Sequence, residues 1–283
     1  MGGTRDTTRS PTVSTEPRIR RGYFECRFGQ LHVLNAMPAG GGFDEATPLM
    51  LLHHGPMSGA VFRRVLPALG RDRSVYAPDL PGCGESDPPP SQPAIADYTA
   101  AIEDFLDAMR LRRIDVAGYQ SGSLVAAELA LSRPAAVRRV ACIGVPRAPQ
   151  AAQAAGLGAP RTRSPAADGS HLLAEWNRTR DAAHPPLPLD VLSRVVAEKL
   201  RSGPRAGWGL GAALAYPARE RLARIGQPLL LVRARDECWE TTLQARTFLP
   251  SARFVELAEV GTEAFERAPE PLAEVLREFL SAA

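Results

Sequence analysis

Gly118-Tyr119-Gln120-Ser121-Gly122 is the stretch on which the fold of this chain turns. It follows RIDVAG (113–118), a short run of strand type, and leads at once into SGSLVAAELALS (121–132), which reads as a helix. A glycine on each side of the central residue permits a sharp turn from strand to helix, with the residue between them thrust outward. The same strand-then-helix rhythm extends in both directions. PLMLLHH (48–54), RSVYAPD (73–79), VRRVACIGVP (137–146), QPLLLVRARD (227–236) and ARFVELAE (252–259) are short apolar runs suited to strands buried on both faces. SGAVFRRVLPAL (58–69), ADYTAAIEDFLDAMR (96–110), a stretch around 240–248 and PEPLAEVLREFL (269–280) carry helical spacing. GYFECRF (22–28) and LHVLNAMP (31–38), separated by Gly29-Gln30, predict a β-hairpin ahead of them. Strands alternating with helices predict an α/β fold, a doubly wound and mostly parallel sheet covered on both faces.

Residues 147–225 break that rhythm. They hold scattered Pro and Gly and several helical patches, among them HLLAEWNRTRDAA (171–183) and LDVLSRVVAEKLRS (189–202), with no clear strand. Their place between two strands predicts a helical cap over the carboxyl ends of the sheet, where ligands of such folds bind. The expected organisation is a disordered leader (1–20), a core formed by 21–146 and 226–283, and a cap of 147–225.

Composition removes several classes of function. Of 283 residues, 45% are hydrophobic and the net charge is +3. No apolar run is long enough for a membrane span, and the N-terminus lacks the apolar segment of a secretory signal, so a cytoplasmic location and no membrane partner are expected. Only 6% of residues are aromatic, which argues against a basic, aromatic nucleic-acid surface. Cys26, Cys83, Cys142 and Cys238 form no pair with metal-site spacing, so no metal is expected. No phosphate loop or flavin motif is present, and no cofactor is expected. Lys199 is the single lysine among 34 basic residues. A small-molecule substrate under the cap is the expected partner, with a homodimer left open.

The elbow at 118–122, His54-Gly55 after PLMLLHH, the loop Asp79-Leu80-Pro81-Gly82-Cys83-Gly84-Glu85-Ser86, and Gly261 with Pro269-Glu270 before the last helix together resemble the α/β-hydrolase superfamily over about residues 22–283. That resemblance implies a triad in the chain order nucleophile, acid, histidine. The nucleophile position holds Gln120, whose amide cannot become a nucleophile near neutral pH but donates and accepts hydrogen bonds. The acid position holds Asp236. The histidine position, in Gly261-Thr262-Glu263-Ala264-Phe265, holds Thr262, and no histidine follows His184. One backbone donor of the implied oxyanion site falls at Pro56, which has no N–H, while the N–H of Ser121 survives.

These departures lead to an expectation of a non-hydrolytic, cofactor-independent enzyme for a medium-sized apolar molecule. Cyclases, lyases and carbon–carbon bond-forming enzymes of natural-product pathways are the resemblances that suggest it. The expected catalytic residues are Gln120, Asp236 and His54. Ser121, Tyr119, Pro56, Thr262, Glu263, Trp176, Trp208 and His171 are the expected substrate-binding residues. The Ser121 hydroxyl is read as a helix cap, and Arg233 and Arg235 as potential partners for Asp236. Two alternatives stand beside this: an inactive binding or scaffold protein, and a hydrolase with an unusual nucleophile, namely Ser121, Cys238 or water activated by Asp236.

Overall fold

The computed structural model describes residues 16–40, 45–146 and 165–282. The first part of the expected leader and residues 147–164 of the expected cap lie outside the described residues. The sheet has eight strands in the order β1-β2-β4-β3-β5-β6-β7-β8. They are β1 (Arg20–Cys26), β2 (Gly29–Ala36), β3 (Leu49–Leu52), β4 (Val75–Pro78), β5 (Ile114–Tyr119), β6 (Val137–Ile143), β7 (Leu229–Ala234) and β8 (Arg253–Leu257). β1 pairs antiparallel with β2, as the hairpin pattern predicts, and β2 pairs antiparallel with β4. All remaining pairs are parallel. The first strand starts at Arg20, within the stretch expected to be leader.

Two apolar clusters, one on each face, hold the sheet. One joins Leu52, Val116 and Leu231 to Tyr98, Ile102 and Phe105 of helix α2 (Ile95–Ala108) and to Leu124, Val125 and Leu129 of helix α3 (Ser121–Ser132). The other joins Leu51, Ala117 and Val232 to Leu272, Leu276 and Phe279 of the C-terminal helix (Pro269–Ser281). β3, β5 and β7 are buried along their whole length and β6 at every position but Arg138, which explains why these strands read as mainly apolar runs rather than alternating ones.

The run 58–69 is not one helix. It splits into a 3-10 turn (Gly59–Phe62) and a single helical turn, α1 (Leu66–Leu69). Pro67 lies in the first turn of the second piece, directly after Leu66. Gly59 lies so close to Ala77 that a Cβ there would stand 2.4 Å from its carbonyl oxygen.

Between β6 and β7 the described chain is helical: α4 (Ser170–Ala182), α5 (Leu189–Arg201), α6 (Trp208–Ala215) and α7 (Ala218–Leu222). These helices are tied to loops at the carboxyl ends of the strands. Ser58 Oγ donates to Glu198 (2.7 Å), Ser202 Oγ donates to the Pro56 carbonyl (2.8 Å), and Arg201 pairs with Glu85 (3.2 Å). Gly209 of α6 meets Gly55 backbone to backbone, where either Cβ would approach the other glycine's Cα to about 3 Å.

The loop after β4 is pinned by one buried carboxylate. Asp79 accepts the N–H groups of Gly59 (2.7 Å) and Glu85 (2.9 Å) and stands 2.8 Å from His32 Nδ1. Asp79→Ala leaves those buried partners unsatisfied. It is expected to destabilise the fold by about 3 kcal/mol, read from the shift in a urea-unfolding midpoint.

Candidate functional site

The elbow is built by steric exclusion. A Cβ on Gly118 would lie 2.2 Å from the Gly122 carbonyl oxygen, and a Cβ on Gly122 would lie 2.0 Å from that of Leu52. Only glycine fits at either place. Gln120 between them adopts φ 49° and ψ −115°, a conformation outside the favoured regions for a side-chain-bearing residue. The turn delivers its amide to a cavity of about 680 Å³ between the sheet and helices α4–α6.

Carboxyl groups surround that amide. Gln120 Nε2 donates to Asp236 Oδ2 (3.1 Å) and to Glu237 Oε2 (2.8 Å). Carboxylate oxygens only accept, so these bonds fix which end of the amide is nitrogen and turn Oε1 away from them. Asp236 Oδ1 accepts the Cys238 N–H (2.8 Å). Burial lifts the Asp236 carboxyl to about 6, opposed by the Gln120 and Cys238 hydrogen bonds. Asp236 is therefore braced behind Gln120, and it is Glu237 that reaches the cavity wall.

Glu263 is a half-buried carboxyl in the cavity wall. It sits in the left-handed region (φ 57°) at the start of the short helix Ala264–Arg267 and lines the cavity. Among the described residues nothing hydrogen-bonds its carboxyl. Burial lifts it to about 7, with the charge of Lys199 opposing the rise. A carboxyl of this kind exchanges protons near neutral pH.

Several expected roles require correction. His54 lines the cavity, but burial and the nearby His53 and Lys199 depress it to about 3, and its Nδ1 is buried without a partner. A neutral imidazole so hard to protonate is not the proton carrier expected of it. Tyr119 is not a ligand contact: its ring is 1% exposed, edge-on to His54 (4.8 Å) and Phe265 (5.4 Å) in the core. Strand alternation sends it to the opposite side from Gln120. Thr262 turns to the backbone of His184, whose N–H it accepts at 3.2 Å, and does not line the cavity. Trp176 and Trp208 are partly buried on α4 and α6 but are not among the cavity-lining residues.

The Ser121 hydroxyl is no helix cap. It accepts the Gly55 N–H (3.1 Å), stitching the elbow to the His-Gly turn, and lines the cavity beside Pro56. His171 lines the cavity with Nδ1 accepting the Ala166 N–H (3.0 Å). Arg233 does not pair with Asp236: it is held by Glu256 (2.7 Å) and lies 3.5 Å over the Trp239 ring, which Arg235 also approaches. Cys238 is buried and its thiol is pushed well above its usual range, so it offers no thiolate.

Sequence reasoning missed Glu175, Arg178, Thr179, Lys199 and Glu237, all of which line the cavity. The i, i+3, i+4 spacing of Glu175, Arg178 and Thr179 was the available signal, since such residues share one helix face. Among the described residues no cluster of His, Cys, Asp or Glu is arranged to hold a metal ion, and no helix is long and apolar enough to cross a membrane.

Comparison with known proteins places this geometry in a family. The family model described as "alpha/beta hydrolase fold" matches residues 47–266. A 2-hydroxymuconate semialdehyde hydrolase from a Pseudomonas species is 34% identical over 39% of this chain and 39% of its own length. A haloalkane dehalogenase from Psychrobacter cryohalolentis is 34% identical over 34% of this chain and 33% of its own length. The chain thus spans under two-fifths of the length of the curated relatives it matches. Among solved structures, a hydrolase from Pseudomonas aeruginosa aligns with TM-score 0.72 at 24% identity, over 93% of this chain and 98% of that one. An enol-lactonase from Burkholderia xenovorans aligns at 0.71 and 20%, over 92% and 100%. Several relatives and neighbours are named as hydrolases, a dehalogenase, an enol-lactonase and an epoxide hydrolase, and this overturns the expectation of a non-hydrolytic cyclase, lyase or bond-forming enzyme. By its elbow, its sheet and the match across most of its length, this chain belongs to the α/β-hydrolase fold family.

Proposed function

We propose that this protein is a hydrolase of activated esters or lactones in which Glu263 activates the attacking water directly. In this reading the triad is degenerate: Gln120 stands at the nucleophile position, Asp236 at the acid position and Thr262 at the histidine position. The observation that carries the proposal is the Glu263 carboxyl, facing the cavity with a proton affinity centred near 7. The relatives' names support hydrolysis. The three other attacking groups weighed above fit less well. Cys238 is held as a thiol, the Ser121 hydroxyl is engaged with Gly55, and Asp236 is braced behind Gln120.

Mechanistically, the Glu263 carboxylate removes a proton from water as the water adds to the substrate carbonyl. Gln120 Oε1 accepts the water's other hydrogen, its orientation fixed by Asp236 and Glu237. The Ser121 N–H donates to the developing oxyanion. Collapse of the tetrahedral adduct breaks the bond to the leaving oxygen, which takes the proton from Glu263. The products are an acid and an alcohol, and the carboxylate is restored. Pro56 supplies no second backbone donor, and loss of one such donor costs about 10²–10³ in rate. The reaction is therefore confined to substrates with good leaving groups. Pro146, Leu172, Leu200, Leu210 and Leu214 give the cavity its apolar wall and suit a medium-sized apolar acyl portion.

Turnover of p-nitrophenyl butyrate with no detectable hydrolysis of ethyl butyrate is the expected result. A fluorophosphonate probe is expected to leave the protein unlabelled and active. Labelling of Ser121 with loss of turnover would replace water by a serine nucleophile, and no turnover of the aryl ester would remove the hydrolase reading.

A further inference from the structure

The single lysine of the chain marks the class of molecule the cavity takes. Lys199 lies near the end of α5 and lines the cavity together with Gln120 and Glu263. It lies close enough to His54 and Glu263, which also line the cavity, for its charge to act on both. The cations around it are already committed. Arg178 is paired with Glu175, and Arg201 with Glu85 and Glu198. Every ion pair found among the described residues is made by arginine or His32, and none by Lys199. Its one hydrogen bond is a long contact (3.4 Å) to Thr179 Oγ1, which leaves further N–H donors on a residue that lines the cavity.

We propose that Lys199 anchors a substrate carboxylate, so that the molecule hydrolysed is an organic acid whose carboxylate stands a few bonds from the cleaved carbonyl. This deepens the hydrolase reading and rests on it for the word "hydrolysed". A compact ammonium on a flexible stem can meet a carboxylate as a point charge, without the fixed geometry that a guanidinium fork requires. One positive charge matches a monoanion. A dianionic phosphate would face the neighbouring carboxyls of Glu237 and Glu263 with too little compensation. The apolar wall then takes the remainder of the acid, and Lys199 fixes which end of it approaches Glu263.

The test uses ligands that need no turnover. N-(biphenyl-4-yl)succinamic acid and the neutral N-(biphenyl-4-yl)succinamide differ only in carboxylate against carboxamide, and calorimetry compares their affinities. The wild-type protein is expected to bind the acid about tenfold more tightly, or better. The preference is expected to vanish in Lys199→Gln, to survive in part in Lys199→Arg, and to persist in Arg178→Gln. Equal affinity of the two ligands for the wild type overturns the proposal, as does a preference that follows Arg178 instead. Should Lys199→Gln fail to fold, the wild-type preference and its retention in Lys199→Arg carry the decision. Because binding is read directly, a protein that prefers the acid yet hydrolyses no ester refutes the hydrolase reading while leaving the anchor intact.

Discussion

Glu263→Gln is expected to lower kcat/KM for p-nitrophenyl butyrate by about 10²–10⁴-fold, the span typical of losing a positioned general base. The amide keeps the shape of the carboxyl and cannot take a proton. The same substitution is expected to stabilise the protein, and that pairing of signs is diagnostic. Burial holds the folded-state carboxyl at about 7 against an ordinary 4.5. Its proton is bound more tightly in the native state than in the unfolded chain. The native state is thus unpenalised below the ordinary carboxylate range and loses stability as pH rises toward 7, by roughly 3 kcal/mol once both states are ionised. Removing the charge relieves that cost. Unfolding midpoints measured at pH 8 are expected to rise by an amount on the order of 1–3 kcal/mol, with little change at pH 4. A residue with only a packing role would show lowered stability at both pH values.

Gly122→Ala is expected to abolish the fold. The added methyl would stand 2.0 Å from the Leu52 carbonyl oxygen and 2.7 Å from that of His53, and both are backbone atoms in or just beyond a central strand. Neither can withdraw without separating α3 from β3, so a cost above about 4 kcal/mol is anticipated, a large part of the stability of an ordinary domain. Gly203→Ala is the control. Unlike Gly122 it has positive φ (51°), but no atom lies within 4 Å of its would-be Cβ, so about 1 kcal/mol of backbone strain is all it should lose. Soluble yield and urea midpoints separate the two. Equal behaviour would mean that the elbow tolerates side chains and that its glycines serve only the turn.

Those same close approaches explain why the elbow was legible in the sequence. Gly118 and Gly122 are required by local geometry, and the central strands are buried on both faces, so each announces itself in the residues of its own segment. Helix α6 was not legible. WGLGAALA (208–215) is apolar almost throughout and has no polar face to set a helical period. In the site, Glu263 could be found because it sits beside a position the resemblance leaves vacant. Thr262 was misjudged because its hydroxyl is engaged with the His184 backbone, seventy-eight residues away in sequence. Tyr119 was misjudged because its neighbour Gln120 faces the cavity, and adjacent strand residues face opposite ways. Lys199 stood out as the single lysine but was not placed in the site, because helical periodicity states that a face is polar, not what it looks upon. Asp236 was read as a catalytic residue from its position, yet its carboxyl is engaged with Gln120, and the carboxyl proposed as the base, Glu263, lies on a different loop.

The pH dependence of kcat/KM for p-nitrophenyl butyrate tests the water-activation account most directly. Glu263 must be ionised to accept a proton, so activity is expected to climb tenfold per pH unit below about 7, bend there and hold level above it, with the bend absent in Glu263→Gln. A profile unchanged between pH 6 and 8, or one that falls above 7, would contradict a carboxylate base at this position.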